Sequence, residues 1–194
     1  SQKVGIILEH FINKTSKTIG GRGRGMVVVR SRYHCVLFQQ EMKKQMKKLG
    51  LPYSCLVGYS GTIKLHNREV TEDILNNENG LGKGVSIPEG IKDPSYRILI
   101  VSSKFQTGYD EPLLQSMFVD KKLNGVQCVQ TDIDTGYTRC LNDILLFQKQ
   151  LPVCCQTNVF KRQLHHPKQE IIELRCHKRL AAGNSNFIDS SGLL

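Results

Sequence analysis

The stretch GMVVVRSRYHCVLFQQEMKKQMKKLG, residues 25–50, decides the fold. It opens on a glycine and a continuous apolar run at 26–29, which is typical of a strand buried on both faces of a sheet. We predict a helix over 31–50, because Ser31 can cap its first turn, its apolar residues fall roughly on one side and Gly50 can end it. A doubly buried strand joined directly to a helix indicates an α/β fold.

The same strand pattern recurs along the chain in SCLVGYSG (54–61), YRILIVSS (96–103) and SMFVD (116–120). VGIILEHFINKT (4–15) predicts an opening helix, and GVQCVQT (125–131) predicts the start of another. Residues 62–94 are polar and rich in Gly and Asn, so we expect a long excursion with a short helix near 71–75. This order of elements predicts a mostly parallel sheet with both faces covered.

Parallel sheets bind ligands at the carboxyl ends of their strands, so three loops are of interest: RSR, YSGT and SSKFQTGYDEP. In the last loop, Thr107 offers a hydroxyl and a backbone N–H to a phosphate. Gly108 permits close approach of a ligand to the main chain, and Asp110 can accept a hydrogen bond from a ribose hydroxyl. An ordinary strand-to-turn connection, with Asp110 bonding its own backbone, explains the same residues.

The charge balance favours an anionic partner. Lys and Arg number 27 against 17 Asp and Glu, which gives a formal net charge of +10. Nucleic acid comes ahead of a membrane surface as that partner, although a solvated cationic face is the simpler alternative. Part of the charge lies in residues 132–194, which weakens the argument for the first part of the chain.

Cysteine usage and hydropathy favour a cytoplasmic protein. The seven cysteines are an odd number without framework spacing, and no signal peptide precedes them, so we expect reduced thiols. No apolar run approaches the ~18–20 residues that a membrane span requires. We therefore expect no membrane partner.

The order of GMVVVRSR, YSGT and ILIVSSKFQTGYDEPLLQSMFVDKKLNGVQCVQT resembles the second RecA-like motor domain of the HsdR family. These proteins are the restriction (R) subunits of type I restriction–modification enzymes, in helicase superfamily 2. The resemblance covers about residues 4–131, two-thirds of the chain, and is most specific from Phe105 to Thr131. It implies a RecA-like motor lobe over residues 1–131, with helices on both faces of a mostly parallel sheet.

The resemblance also implies roles for particular residues. Gly108 and Asp110 match helicase motif V, which implies nucleotide binding. For Lys121 and Lys122 a solvated pair of charges is an equal alternative to a DNA contact. The DNA-contacting residues implied by the resemblance are Ser31, Arg32, Ser60, Gly61, Thr62, Thr107, Lys121 and Lys122.

A complete subunit of this family binds ATP and Mg²⁺ and couples ATP hydrolysis to translocation along double-stranded DNA, ahead of cleavage. Its implied partners are a first RecA-like lobe and the modification and specificity subunits. These 194 residues contain no G-x-x-x-x-G-K-[ST] loop, acidic box or recognisable nuclease core. We therefore expect no catalytic residues, no cofactor and no ATPase activity for this chain alone, with weak, salt-sensitive DNA binding.

The resemblance stops abruptly after Thr131. In the family the helix continues into Leu-Ser-Arg-Leu-Asn-Arg, motif VI, whereas here DIDTGYTRCLND (132–143) follows, and Arg139 is not assigned the arginine-finger role. We expect residues 132–194 to be an unrelated or frame-shifted tail, irregular and poorly ordered, with one helix over 168–182. The chain is then a fragment of a motor subunit. A non-catalytic nucleic-acid-binding module that uses the basic tail and a decayed gene product are the alternatives.

Three adjacent Cys and His pairs occur in the tail, at 154–155, 165–166 and 176–177. Zinc sites normally pair ligands two to four residues apart, and adjacent side chains rarely reach one metal. We therefore predict no metal site.

Overall fold

A computed structural model describes residues 2–65, 67–105, 109 and 111–121, together with the backbone of 143–146, 160–166 and 169–175. The first half contains α1 (Gln2–Asn13), a 3-10 turn (Thr15–Lys17), the one-turn α2 (Thr18–Gly21), β1 (Arg24–Val29), α3 (Arg32–Lys48), β2 (Ser54–Tyr59), β3 (Ile63–Leu65) and β4 (Arg68–Val70). The remainder contains α4 (Glu72–Glu78), α5 (Ile87–Gly90), β5 (Tyr96–Ser102), β6 (Leu114–Asp120), β7 (Asp143–Leu146), β8 (Phe160–His166) and β9 (Gln169–Arg175).

Seven strands form one sheet in the order β2-β5-β1-β6-β7-β9-β8. The first five strands are parallel, and β9 runs antiparallel to both β7 and β8. In the central strand β1, Val27 lies opposite Ile100 on one side and Phe118 on the other. The predicted fold class, α/β with a mostly parallel sheet flanked by helices, is confirmed.

The apolar run in β1 is explained by burial on both faces, because successive side chains of a strand point in opposite directions. Val27 and Val29 join a core that contains the buried sides of α1 and α3. Met26 and Val28 join a second core on the opposite face, which includes Ile87 of α5. All six residues of β1 are buried, so neither face of the strand is exposed and no alternation of polar and apolar residues is expected.

The helix predicted over 31–50 is confirmed as α3 with its cap. The Ser31 hydroxyl oxygen accepts from the backbone N–H of His34 at 3.4 Å. Gly50, just after the helix, has φ of +63°, a conformation that glycine adopts without steric cost. The opening helix is confirmed as α1.

The excursion at 62–94 is more structured than its composition indicates. β3 and β4 form a short antiparallel hairpin that the sequence did not predict. The short helix expected near 71–75 is confirmed as α4, with Thr71 as its cap. Asn76 of α4 is fully buried and bonds both the N–H and the C=O of Val57, at 2.9 and 2.8 Å. α4 is thereby fixed against β2, the outermost strand on that side.

In the C-terminal tail, three strands occur where we expected irregular chain. β7 pairs parallel to β6 and so extends the same sheet, and β9 pairs with β7 and β8. The helix expected over 168–182 is wrong across Gln169–Arg175, which form β9. Pairing on both sides of β9 supplies backbone hydrogen bonds from distant segments and outweighs the local helical pattern. The helix start predicted at 125–131 lies outside the described residues, and the division at residue 131 stays a prediction.

Candidate nucleic-acid interface

The carboxyl ends of the parallel strands bring four separate loops to one side of the sheet. Residues 30–32 follow β1, 60–62 follow β2, 103–105 follow β5, and Lys121 follows β6. We call these residues the carboxyl edge. The edge therefore contains six of the eight residues singled out for DNA contact, including Lys121, while Thr107 and Lys122 lie outside the described part of the chain.

Arg32 connects two of these loops. Its Nη1 donates to the carbonyl oxygens of Ser60 and Thr62, at 3.2 and 3.3 Å. The side chain itself is exposed, so the guanidinium lies at the surface of the edge. Ser60 and Thr62 are 28 and 30 residues from Arg32 in sequence, so these bonds join two distant loops into one continuous surface.

Gly61 allows this close approach. It has φ of +80°, and a Cβ built at this position would lie 2.8 Å from Nη1 of Arg32. A larger residue would have a strained backbone and would displace the end of the Arg32 side chain from this position. The glycine predicted to contact DNA therefore has a demonstrable structural role beside Arg32.

Ser31 holds a hydrogen-bonded histidine at the start of α3. Arg30 Nε donates to Nε2 of His34 at 2.7 Å, so in the neutral ring the proton is on Nδ1. Nδ1, 2.7 Å from the Ser31 hydroxyl oxygen, is then the donor, and the hydroxyl hydrogen of Ser31 is left to donate elsewhere. Burial, followed by the charge of Arg30, lowers the pKa of His34 from its usual value, which favours this neutral ring.

Glu72 ties the ends of β2 and β5 together, a role that sequence reasoning missed. Its Oε2 accepts from the backbone N–H of Tyr59 at 2.7 Å, and its Oε1 pairs with the ammonium of Lys104. Lys104 and Glu72 are 32 residues apart, so no local pattern indicates the pair. One cation of the carboxyl edge is consequently held by an acid of the fold itself.

The loop after β5 begins in an unusual backbone conformation. Ser103 and Phe105 have φ of +56° and +57°, the left-handed region that residues with a Cβ seldom adopt. The ring of Phe105 packs over Gly58, where an added Cβ would lie 3.1 Å from its Cδ2. Phe105 also contacts Tyr109, with ring centroids 4.9 Å apart. This packing holds the chain where the motif V-like residues begin.

The motif V-like residues Thr107, Gly108 and Asp110 lie outside the described residues, and their roles stay predictions. Tyr109 and Glu111, which flank Asp110, are both buried. Burial and then the charge of Glu111 raise the pKa of Tyr109 to about 12, so its hydroxyl stays protonated.

Glu111 is held by a buried arginine. The guanidinium of Arg24 lies 3.2 Å from Oε1 of Glu111 and donates to the Lys92 carbonyl at 2.8 Å. The loop after β5 is therefore fixed at both ends, by Phe105 on one side and by the Arg24–Glu111 ion pair on the other.

Lys121 directly follows the last residue of β6, Asp120, at the carboxyl edge. Asp120 pairs with Lys3 of α1, so a second acid at this edge compensates a cation of the fold. The alternative of solvated charges for Lys121 and Lys122 stays open.

Within the described ranges, no group of three or more Cys, His, Asp or Glu side chains is arranged to hold a metal ion. Burial raises the pKa of both Cys35 and Cys55 to about 12, so neither thiol ionises at neutral pH. No helix among the residues that the structure describes is long and apolar enough to cross a bilayer.

No protein-family model matches the chain. Among curated proteins, the chain is 26% identical over 149 residues to the type I restriction enzyme SauCOLORF180P endonuclease subunit of Staphylococcus aureus strain COL. It is equally similar to the SauMSSORF170P and SauMRSORF196P endonuclease subunits of strains MSSA476 and MRSA252. The matches cover 63% of this chain and 16% of each relative, so the chain corresponds to a small part of those proteins. The chain is thus distantly similar to the endonuclease subunits of type I restriction enzymes.

Proposed function

We propose that the chain is part of the DNA-translocating motor of a type I restriction endonuclease subunit and corresponds to its second RecA-like lobe. The distant similarity to such endonuclease subunits supports a role in a restriction system. The parallel α/β sheet and the converging loops at its carboxyl edge are compatible with a motor lobe.

The carboxyl edge is the proposed contact with the phosphate backbone of double-stranded DNA. The observation that carries this proposal is Arg32, whose bonds to the carbonyls of Ser60 and Thr62 bring two predicted DNA-contacting stretches together. Only Nη1 of Arg32 bonds those carbonyls, so the rest of its exposed guanidinium and the hydroxyls of Ser31, Ser60 and Thr62 are the groups that this surface can offer to phosphate oxygens. Such contacts position a protein on DNA without reading its sequence.

ATP and Mg²⁺ belong to the complete subunit in this proposal. Gly108 and Asp110 would lie at the nucleotide when the first lobe closes on this one. DNA cleavage, together with the modification and specificity subunits, would complete a cytoplasmic enzyme. The chain alone has no Walker A loop, so we propose that it hydrolyses no ATP. ATPase activity of the purified chain that rises on addition of DNA would contradict this part of the proposal.

The DNA contact is tested by measuring the equilibrium binding of a random-sequence duplex at several salt concentrations, for the unaltered chain and for Arg32→Gln. Loss of one phosphate contact is expected to reduce the slope of log K against log salt by about 1. Lys83→Gln is the matched control, because it removes one exposed charge from the segment between α4 and α5, outside the carboxyl edge. Equal slopes for Arg32→Gln and the unaltered chain would refute the assignment of this edge.

A further inference from the structure

Four lysines lie close together on the last two turns of α3: Lys43, Lys44, Lys47 and Lys48. We call them the lysine patch. All four side chains are exposed. α3 begins at the carboxyl edge and ends just before the start of β2, so the patch lies at the opposite end of the sheet. With a rise of about 1.5 Å per residue, roughly 18–25 Å of helix separates its lysines from Ser31.

Among the described residues, no acid lines the groove beside Lys43 and Lys47, whereas Glu9 and Glu41 line the groove beside Lys44 and Lys48. None of the ammonium groups of the lysine patch forms an ion pair within the part of the chain that the structure describes. The acid nearest to the patch along α3, Glu41, accepts from the amide of Gln45 at 2.6 Å. Lys43 and Lys47, like Lys44 and Lys48, are four residues apart on one helix, where like charges repel.

Helix stability alone does not account for this arrangement. The negative end of the helix dipole favours cations in the last turn, which contains Lys47 and Lys48. That effect falls off within one turn, so it does not explain Lys43 and Lys44. The cluster therefore has the character of a surface that is stabilised by an anionic partner.

The surroundings of the patch indicate how such a partner is contacted. Lys43 and Lys47 line a shallow groove whose other wall includes Leu51 and Tyr53. The Tyr53 ring is already covered by the guanidinium of Arg97, 4.9 Å from its centroid. One face of the ring is therefore occupied, and the charges of the lysines are the contact on which the proposal rests.

We propose that the lysine patch binds the phosphate backbone of nucleic acid at a second surface, distinct from the carboxyl edge. Lysine is depleted at protein–protein interfaces, where arginine and aromatic residues are enriched, and the patch contains lysines alone. Solvated point charges suit sequence-independent contact with a polyphosphate. The two surfaces lie at opposite ends of the sheet, so this inference does not rest on the function proposed for the carboxyl edge.

The test compares the double variant Lys43→Gln/Lys47→Gln of the full chain with the matched control Lys83→Gln/Lys92→Gln. Both variants lower the net charge by two, and the control residues lie next to Leu81 and Ile91 of the core on the opposite face of the sheet from α3. Binding of a random-sequence duplex is measured between 50 and 200 mM salt. For the patch variant we expect the slope of log K against log salt to fall by about 2, with affinity roughly 50-fold lower near 0.1 M salt, and little change for the control.

Other outcomes would overturn the inference. Equal slopes for the patch variant and the control would show that only net charge matters. If the patch variant lost binding to poly-glutamate but kept duplex binding, the partner would be an acidic polypeptide instead.

Comparison with Arg32→Gln separates the two proposals. A normal slope for Arg32→Gln with a reduced slope for the patch variant supports the lysine patch and contradicts the carboxyl edge, and the reverse result does the opposite.

Discussion

Arg24 and Lys47 have the same charge, and the protein uses them in opposite ways. Arg24 is 3% exposed and is engaged by Glu111 and by the carbonyl of Lys92. Lys47 is exposed and forms no ion pair among the described residues. Part of the positive charge therefore holds the fold together, and another part is presented to solvent.

The carboxyl edge lies between these extremes. Its Lys104 is paired with Glu72, and Asp120, which precedes Lys121, is paired with Lys3 of α1. Arg32 is exposed, but one of its nitrogens is engaged by backbone carbonyls. The net charge of +10 consequently overstates the free positive charge at this edge, whereas Lys43 and Lys47 of the lysine patch form no ion pair among the described residues. Substitutions at Arg24, at Arg97 and at the pair Lys43 and Lys47 test this distinction.

The largest effect is expected for Arg24→Met. Removing the guanidinium leaves the buried carboxylate of Glu111 without its cation, which we expect to lower the free energy of unfolding by about 3–5 kcal/mol. Urea denaturation followed by circular dichroism measures the change. Arg22→Met is the control, because Arg22 is exposed, and it should change stability by about 0.5 kcal/mol or less. Equal stabilities for the two variants would contradict a structural role for Arg24.

An intermediate effect is expected for Arg97→Met. Arg97 is 6% exposed and donates to the carbonyls of Ser16, Gly21 and Gly23, at distances from 2.7 to 3.3 Å. Unpairing these carbonyls should lower the free energy of unfolding by about 2–3 kcal/mol.

Arg97→Lys is the informative companion to this variant. A single ammonium cannot reproduce the planar fork of the guanidinium, so most of the loss should persist in the same urea experiment. Full stability of Arg97→Lys would mean that charge alone, and not the bonded carbonyls, is what Arg97 contributes.

The smallest effect on stability is expected for Lys43→Gln/Lys47→Gln. Both side chains are exposed and glutamine is a good helix former, so the free energy of unfolding should change by about 0.5 kcal/mol or less. Removing the repulsion between the two lysines should, if anything, stabilise α3. A loss of more than about 1 kcal/mol in urea denaturation would place these lysines among the cations that hold the fold.

The strands and the main helix could be predicted because their signals are local. The run at 26–29 has no polar face, and both sides of β1 are indeed buried. Ser31 and Gly50 bracket α3 as their chemistry indicates. In each case a few neighbouring residues contain the whole signal.

The missed elements depend on distant partners. In the β3–β4 hairpin each strand has three residues and most side chains are not buried, so no periodicity reveals it. Residues 169–175 form β9 because β7 and β8 pair with them, and nothing within the segment specifies those partners.

The candidate site was predictable in its location more than in its contacts. The rule that ligands lie at the carboxyl ends of parallel strands led to Ser31, Arg32 and residues 60–62. The pairing of Glu72 with Lys104 spans 32 residues and required the folded chain. The four lysines of α3 were visible in the sequence, but only the structure shows that none of them forms an ion pair among the described residues.

The most direct test of the carboxyl-edge proposal is hydrogen–deuterium exchange of the full chain with and without a random-sequence duplex at 50 mM salt. The proposal predicts DNA-dependent protection of backbone amides in peptides that contain residues 30–34 and 59–63, where Arg32 joins the two loops. Peptides that contain Lys83 serve as the internal reference and should exchange equally in both conditions. If the chain binds the duplex and residues 30–34 and 59–63 exchange as they do without DNA, the carboxyl edge is not the DNA contact.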